Sequence, residues 1–185
     1  MVYDDIVKGK YVYLKSADQN DAEFTLSLRQ NPFLTRYLPR LDISIEQQKA
    51  WIASQRKREG DYFFVARTLD HSPIGTVSIY EIHGDSSESG RLALIGNPLQ
   101  NVESTLLLFK FAFDIIGLKM VTGYIVDGNK RAERFNKQFG CVTGPQEYDE
   151  KGLLICRTLV TNESFHQAEK RLQRILYQDT VNRYE

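Results

Sequence analysis

Cysteine is scarce in this sequence. Cys141 and Cys156 are the only two in 185 residues, and they stand too far apart to form a C-x-x-C pair. That excludes a disulfide framework and a cysteine-based metal site, and both are expected to be buried thiols. The three histidines, His71, His83 and His166, are scattered, so no metal is expected either. An excess of either charge is also missing, with 24 Lys and Arg against 24 Asp and Glu. Nothing in that balance draws the chain to nucleic acid or to an anionic membrane. The most basic run, Arg56 to Arg58, is followed at once by Glu59 and Asp61 and reads as a solvated helix end. The longest apolar stretch is broken by Lys110 and Asp114 and falls short of the ~20 residues that cross a bilayer. Residues 1–10 alternate charged and apolar side chains, without the apolar core of a signal peptide, so a cytoplasmic location is expected.

What is present suits a full hydrophobic core. A content of 42% hydrophobic and 26% charged residues, with no repeat or linker, predicts one domain over 1–185. Residues 10–15 alternate as a half-buried strand. Asn20 with Glu23 reads as a helix start, closed by Asn31-Pro32 because the residue before proline is pushed out of the α region. Ser44-x-x-Gln47 opens a second helix reaching about Arg58, with Trp51 and Ile52 near its buried side. Residues 61–67 and 74–82 form two strands around a breaker-rich turn, and 84–89 a small polar loop.

The stretch 90–140 then reads as strand (90–95), polar loop, long apolar helix (102–116), strand (119–126) and shorter helix (129–139). Residues 141–147 and 153–160 flank a turn as a closing hairpin. A last helix over 162–178 carries Phe165, Ala168, Leu172, Ile175 and Leu176 on one face. Its default is to pack on its own domain, and the alternative is to pair two subunits in a homodimer. The order βααββ, βαβα, ββ predicts an α/β sandwich around a mixed sheet.

Asn129, Ala132, Phe135 and Gly140 follow the strand in the spacing N-x2-A-x2-F-x4-G. With strand, loop, helix and strand before it, this pattern resembles the cofactor half of the GNAT superfamily of acyl-CoA-dependent N-acetyltransferases, including members that acetylate ribosomal-protein N-termini. The resemblance covers roughly 10–160. It implies an α/β fold with a mixed, mostly antiparallel sheet of about seven strands, to which the C-terminal helix is an addition. One feature departs from the family: its loop usually carries glycines in a Q/R-x-x-G-x-G/A pattern, whereas residues 97–104 here have none. Some members that modify nucleotide-linked amino sugars have a G-R-W-like strand and an E-S pair instead, and Gly90-Arg91-Leu92 and Glu103-Ser104 are similar to that.

The resemblance implies acetyl-CoA as co-substrate and no metal. Backbone groups of Leu92, Ala93, Leu94 and Ile95 would hold the pantetheine arm, aided by Asn129, whose other role is to cap the following helix. The diphosphate would sit at the helix start, near Gln100, Asn101, Val102, Ser104 and Thr105, where free N–H groups and the helix dipole favour anions. Glu103 should then point away from the ligand. For the proton of the incoming ammonium the candidates are Glu88, Glu81 and His83, the last with an ordinary pKa of ~6.5. Where relatives place a tyrosine for the leaving thiolate, this chain has Asn136, which can donate a hydrogen bond but no proton; Tyr80 or Tyr124 could substitute. The helix pair over the acceptor site makes Arg29, Asn31, Arg36, Tyr37 and Tyr80 candidates for acceptor contacts.

These features predict an acetyl-CoA-dependent N-acetyltransferase acting on a primary amine, with a nucleotide-linked amino sugar ahead of a protein or peptide N-terminus. A narrow, arginine-lined acceptor site would favour the sugar, an open groove the peptide. The rival from another class is a non-catalytic acyl-CoA-binding or scaffold protein, suggested by the missing glycines, by Glu103 and by Asn136.

Overall fold

The central sheet has eight strands in the order β1-β2-β3-β4-β5-β6-β8-β7 in a computed structural model that describes residues 1–37 and 40–177. The strands are β1 (Val7–Lys8), β2 (Val12–Ser16), β3 (Tyr62–Thr68), β4 (Pro73–His83), β5 (Ser86–Leu94), β6 (Met120–Val126), β7 (Val142–Tyr148) and β8 (Leu154–Thr161). All neighbours pair antiparallel except β5 and β6, which run parallel. That is one strand more than the seven expected, the addition being the two-residue β1.

Among the described residues five α-helices complete the fold: α1 (Ala22–Gln30), α2 (Ile45–Gln55), α3 (Pro98–Lys110), α4 (Lys130–Lys137) and α5 (Asn162–Tyr177). The main core lies on the α3 and α5 side, where Val77, Ile79, Leu106, Phe111, Val121, Phe165 and Leu172 pack together. A smaller cluster of Ala17, Ala22, Ile52, Phe63 and Val65 holds α1 and α2 to the opposite face. A layered arrangement follows because α1, α2, α3 and α5 bury residues against a sheet face, while α4 has no buried residue.

Several boundaries differ from the sequence reading for identifiable reasons. The first helix is capped by Asp18, with Asp21 completing the capping box, so a 3₁₀ turn over Gln19–Asp21 precedes α1. The cap at Ser44 with Gln47 forms as expected. The apolar helix starts at Pro98, four residues early, because Asn97 and Gln100 make a capping box around a proline at the first helical position. It continues as a π-helical turn over Phe111–Ile115. The polar loop expected over 84–89 is a tight hairpin instead, with β5 beginning at Ser86. In α5 Ile175 faces outward, while Glu169 joins the buried face. Residue 178, the expected end of that helix, lies outside the described residues. Cys141 is buried as expected, but Cys156 is only half-buried.

Candidate active site

The parallel pairing of β5 with β6 covers only Ser86, Ser87 and Glu88, opposite Met120, Val121 and Thr122. Beyond Glu88 the two strands part. β5 keeps β4 on its other side but loses β6, so its edge opens into a wedge. Gly123 lines the point of parting, where a Cβ would lie 3.2 Å from the Ser89 carbonyl oxygen. Three residues past Glu88, β5 also bulges: Ser78 opposes Gly90 and Thr76 opposes Ala93, so one extra residue is accommodated on β5. Arg91 sits in that bulge at φ +49°. Its carbonyl oxygen accepts from Thr76 Oγ1 at 2.7 Å.

On the α1 and α2 face, a cavity of about 420 Å³ lies beneath the bulge. Trp51, Phe63, Leu41 and Ile43 supply its apolar wall; Arg29 and Arg91 bring two guanidinium groups to it. Burial lowers the Arg29 pKa from its ordinary value, Tyr124 partly offsets that, and the Arg91 charge adds to the lowering. Arg91 makes a fork to Asp61, with Nη1 to Oδ1 at 2.6 Å and Nη2 to Oδ2 at 3.0 Å. Tyr80 stacks on Arg91, its ring centroid 4.5 Å from the guanidinium carbon. The ring has room because position 90 is glycine: a Cβ there would come within 2.6 Å of the Tyr80 hydroxyl.

Glu88 is placed in the strand rather than before it, directly opposite Tyr80 on β4 and Thr122 on β6. The Tyr80 phenol is pushed up to about 12, first by burial and then by the Glu88 charge and hydrogen bond, with Arg91 pulling the other way. Tyr80 therefore stays protonated, and able to donate, through the neutral range. Tyr124 lies on β6 with 44% of its surface exposed.

Not every candidate joins this group. Glu81 and His83 sit at the far end of β4, 3.4 Å apart, with side chains 66% and 80% exposed, so solvent surrounds both. Arg36 is exposed and lies over its neighbour Tyr37, whose hydroxyl donates to the Gly128 carbonyl at 3.2 Å. Asn31 accepts from the Phe33 N–H and so closes α1. Of the expected acceptor contacts, Arg29 lines the cavity, Tyr80 stacks on Arg91 of its wall, and Asn31, Arg36 and Tyr37 lie along the connecting segment.

For acetyl-CoA the fit is good along β5 and narrower at the diphosphate end. Leu92, Ala93 and Leu94 follow the bulge on the strand that lost its neighbour, while Ile95 lies past its end with its N–H bonded to Ile74. At the helix start the capping box consumes donors: Gln100 N–H donates to Asn97 Oδ1, and Asn97 N–H to Gln100 Oε1. Asn101 N–H bonds to the Asn97 carbonyl, Ser104 Oγ to Gln100 and Thr105 Oγ1 to Asn101. Val102 packs against the core. The early start of α3 thus moves the anion-receptive turn back by four residues; there Pro98 has no N–H and Gln100 spends its own, which leaves Leu99. Asn101 Oδ1 is buried with no hydrogen-bond partner, an acceptor suited to an amide N–H. Asn129 caps α4 through Ala132 N–H at 3.1 Å, and Asn136 lies half-exposed on the same helix. Glu103 points away from all of this, into the interior.

Asp61, Thr76, Gln48 and Ser78 were not singled out by sequence. A lone acid heading the apolar run Tyr62 to Ala66, and a lone arginine inside the strand Gly90 to Leu94, were the available signals for the Asp61 and Arg91 pair. Among the described residues no group of His, Cys, Asp and Glu could hold a metal ion, and no helix is long and apolar enough to cross a membrane.

The sequence matches a family model for an acetyltransferase (GNAT) domain over residues 12–142. No curated protein matches it. Among solved structures it is similar to FdhC in its apo form, described as a nucleotide-linked sugar GNAT: 26% identity, TM-score 0.81, with 95% of this chain and 99% of that chain covered. A GCN5-related N-acetyltransferase from Brucella melitensis matches at 15% identity and TM-score 0.80, with 98% and 90% covered. A spermidine N-acetyltransferase from Vibrio cholerae, in complex with CoA and spermine, matches at 15% identity and TM-score 0.77, with 85% and 99% covered.

Proposed function

The chain belongs to the GNAT acetyltransferase family, and from that premise we propose that it moves an acetyl group from acetyl-CoA to the primary amine of a nucleotide-linked amino sugar. The observation that carries the acceptor class is the cavity of about 420 Å³ with Arg29 and Arg91 in its wall. With the Arg91 charge met by Asp61, Arg29 is the cation this enclosed wall offers to an acceptor, which suits a compact anionic molecule better than an extended peptide. The likeness to the sugar-modifying FdhC, at 26% identity over 95% of the chain, points the same way.

Bound acetyl-CoA supplies a thioester whose carbonyl carbon takes the amine lone pair and whose thiolate leaves. The open edge of β5 from Leu92 to Leu94 would hold the pantetheine arm as an added strand, and Asn101 Oδ1 and Asn129 would serve its amides. Glu88, at the point where β5 and β6 part, takes the proton from the arriving ammonium, directly or through an ordered water. Tyr80, hydrogen-bonded to Glu88, holds that carboxylate in place to take the proton.

The test is steady-state kinetics with nucleoside-diphosphate amino sugars, spermidine and short peptides as acceptors. Turnover is expected with the sugars, and Glu88→Gln should lower kcat about 10²-fold with little change in KM. Turnover on peptides or polyamines alone would overturn the acceptor class. Binding of acetyl-CoA without turnover of any amine would overturn the enzyme and favour an acyl-CoA-binding role.

A further inference from the structure

Arg91 is the residue that belongs to two places at once. Its backbone forms the bulge of β5, and its side chain lies in the wall of the acceptor cavity. The backbone is in the left-handed region, which residues with a Cβ seldom occupy. Such a conformation persists only where the surroundings impose it.

The surroundings here are specific. The Asp61 carboxylate takes both ends of the guanidinium, and Ser78 Oγ accepts from Nη1 at 2.9 Å. Trp51, Phe63 and Tyr80 box the same group with ring centroids at 5.2, 6.0 and 4.5 Å. Asp61 is itself fixed to α2, since Gln55 Nε2 donates to its carbonyl oxygen at 2.7 Å and to Oδ1 at 3.1 Å. On the backbone side, Thr76 Oγ1 ties down the Arg91 carbonyl. An unbroken line of hydrogen bonds thus runs from α2 through Asp61 to the one irregular turn of β5, at the mouth of the wedge.

We propose that the Asp61–Arg91 ion pair is a positioning clamp for the thioester, holding the bulge so that the backbone N–H of Leu92, which faces the open edge while Ala93 faces β4, meets the acyl carbonyl. The clamp does not touch the reacting atoms. It acts on the carbonyl through the backbone, so its loss should be felt by acetyl-CoA and hardly by CoA, which has no carbonyl at that position. The inference rests on the acetyl-CoA reading of the wedge, and its test separates the two.

The experiment compares calorimetric titrations with acetyl-CoA and with CoA, and the infrared carbonyl stretch of bound acetyl-CoA labelled with ¹³C at the carbonyl. The proteins are the wild type, Asp61→Asn, Arg91→Lys and Arg91→Gly, with thermal melts to establish folding. In the wild type the stretch should move to lower frequency on binding. Asp61→Asn should lose most of that movement and bind acetyl-CoA about tenfold more weakly, with CoA affinity held within about threefold. Arg91→Lys, a point charge without the fork, should recover part of the shift. Arg91→Gly is the variant that keeps the fold safe, since glycine takes this φ without strain; it should nonetheless lose the shift, because nothing then grips the turn. A full wild-type shift in folded Arg91→Gly or Asp61→Asn would overturn the clamp. So would a wild type that binds acetyl-CoA with no shift at all, in which case the cofactor reading survives. No binding of acetyl-CoA or CoA to the wild type at millimolar ligand would overturn the cofactor reading and the clamp together.

Discussion

Asp61 and Glu103 are both buried carboxylates, at 6% and 0% exposure, and they are held in opposite ways. Asp61 is matched by a cation, the Arg91 guanidinium, at the wall of a cavity. Glu103 is met by neutral donors: the Lys10 N–H at 2.8 Å on Oε1, the Tyr11 and Val12 N–H groups at 2.7 and 2.9 Å on Oε2, and the Tyr177 hydroxyl at 2.7 Å on Oε1. The first arrangement joins two side chains that a ligand can influence. The second joins three backbone segments and has no opening for one. A buried charge is therefore no sign of a site by itself; what distinguishes the two is whether the compensating group faces a cavity.

The comparison can be broken most severely at Glu103. Glu103→Ala removes the acceptor of the Lys10, Tyr11 and Val12 N–H groups and of the Tyr177 phenol; with the exposed Lys10 open to water, the other three, at about 1–3 kcal/mol for each unsatisfied donor, make the expected loss about 3–9 kcal/mol. Urea unfolding measures it. Folded protein should still distinguish acetyl-CoA from CoA as the wild type does, because no part of this node reaches the wedge; a changed distinction would place Glu103 in the site after all.

A smaller effect is expected from Gly9→Ala. The new Cβ would lie 2.4 Å from Glu103 Cδ, and the carboxylate cannot swing aside without giving up its donors. Overpacking of this kind costs about 1–3 kcal/mol. A melt indistinguishable from that of the wild type would mean that the turn before β2 yields more easily than its hydrogen bonds suggest.

The smallest effect separates the two carboxylates by pH. Burial, then the hydrogen bond and charge of Glu103, hold the Tyr177 phenol well above its ordinary value of 10.0. A pKa raised in the folded state stabilises the protein below the unfolded value and loses that contribution as pH rises through the folded one. Stability should therefore decline above pH 10, and Tyr177→Phe should flatten part of the decline. The Tyr80 phenol, at about 12, adds to the same slope, so Tyr80→Phe should remove a separate part without altering the Glu103 node.

Most of the architecture was legible because the patterns are local. Ser44 with Gln47 marked the start of α2, and Asn31-Pro32 the end of α1, through chemistry contained within four residues. The start of α3 was legible too, in Asn97-Pro98-x-Gln100, but the apolar periodicity begins only near Val102 and drew the boundary there. That displacement of one turn carried the expected anion donors to Asn101, Ser104 and Thr105, whose groups the helix uses itself. Glu88 looked like a loop residue because Gly84 to Ser89 is polar; the strand forms there by pairing with β4 and β6, which a one-dimensional pattern does not contain. Asp61 and Arg91 lie 30 residues apart, and neither carries a local signal of the other. The cavity wall, being built from α1, α2, β3, β4 and β5 together, could not be read before the sheet order was known.

The Glu103 node also has a consequence in time. Its hydrogen bonds join residues 91 to 93 positions apart on one side and 74 on the other. Contacts of such separation form only after the chain between them has been ordered, because loop closure must be offset first. The node is thus expected to close late, when β2, α3 and the last turn of α5 are already in place. Interactions that are absent from the folding transition state set the rate of unfolding rather than of folding. A carboxylate with no part in the chemistry would then act as the latch that decides how long a folded molecule lasts.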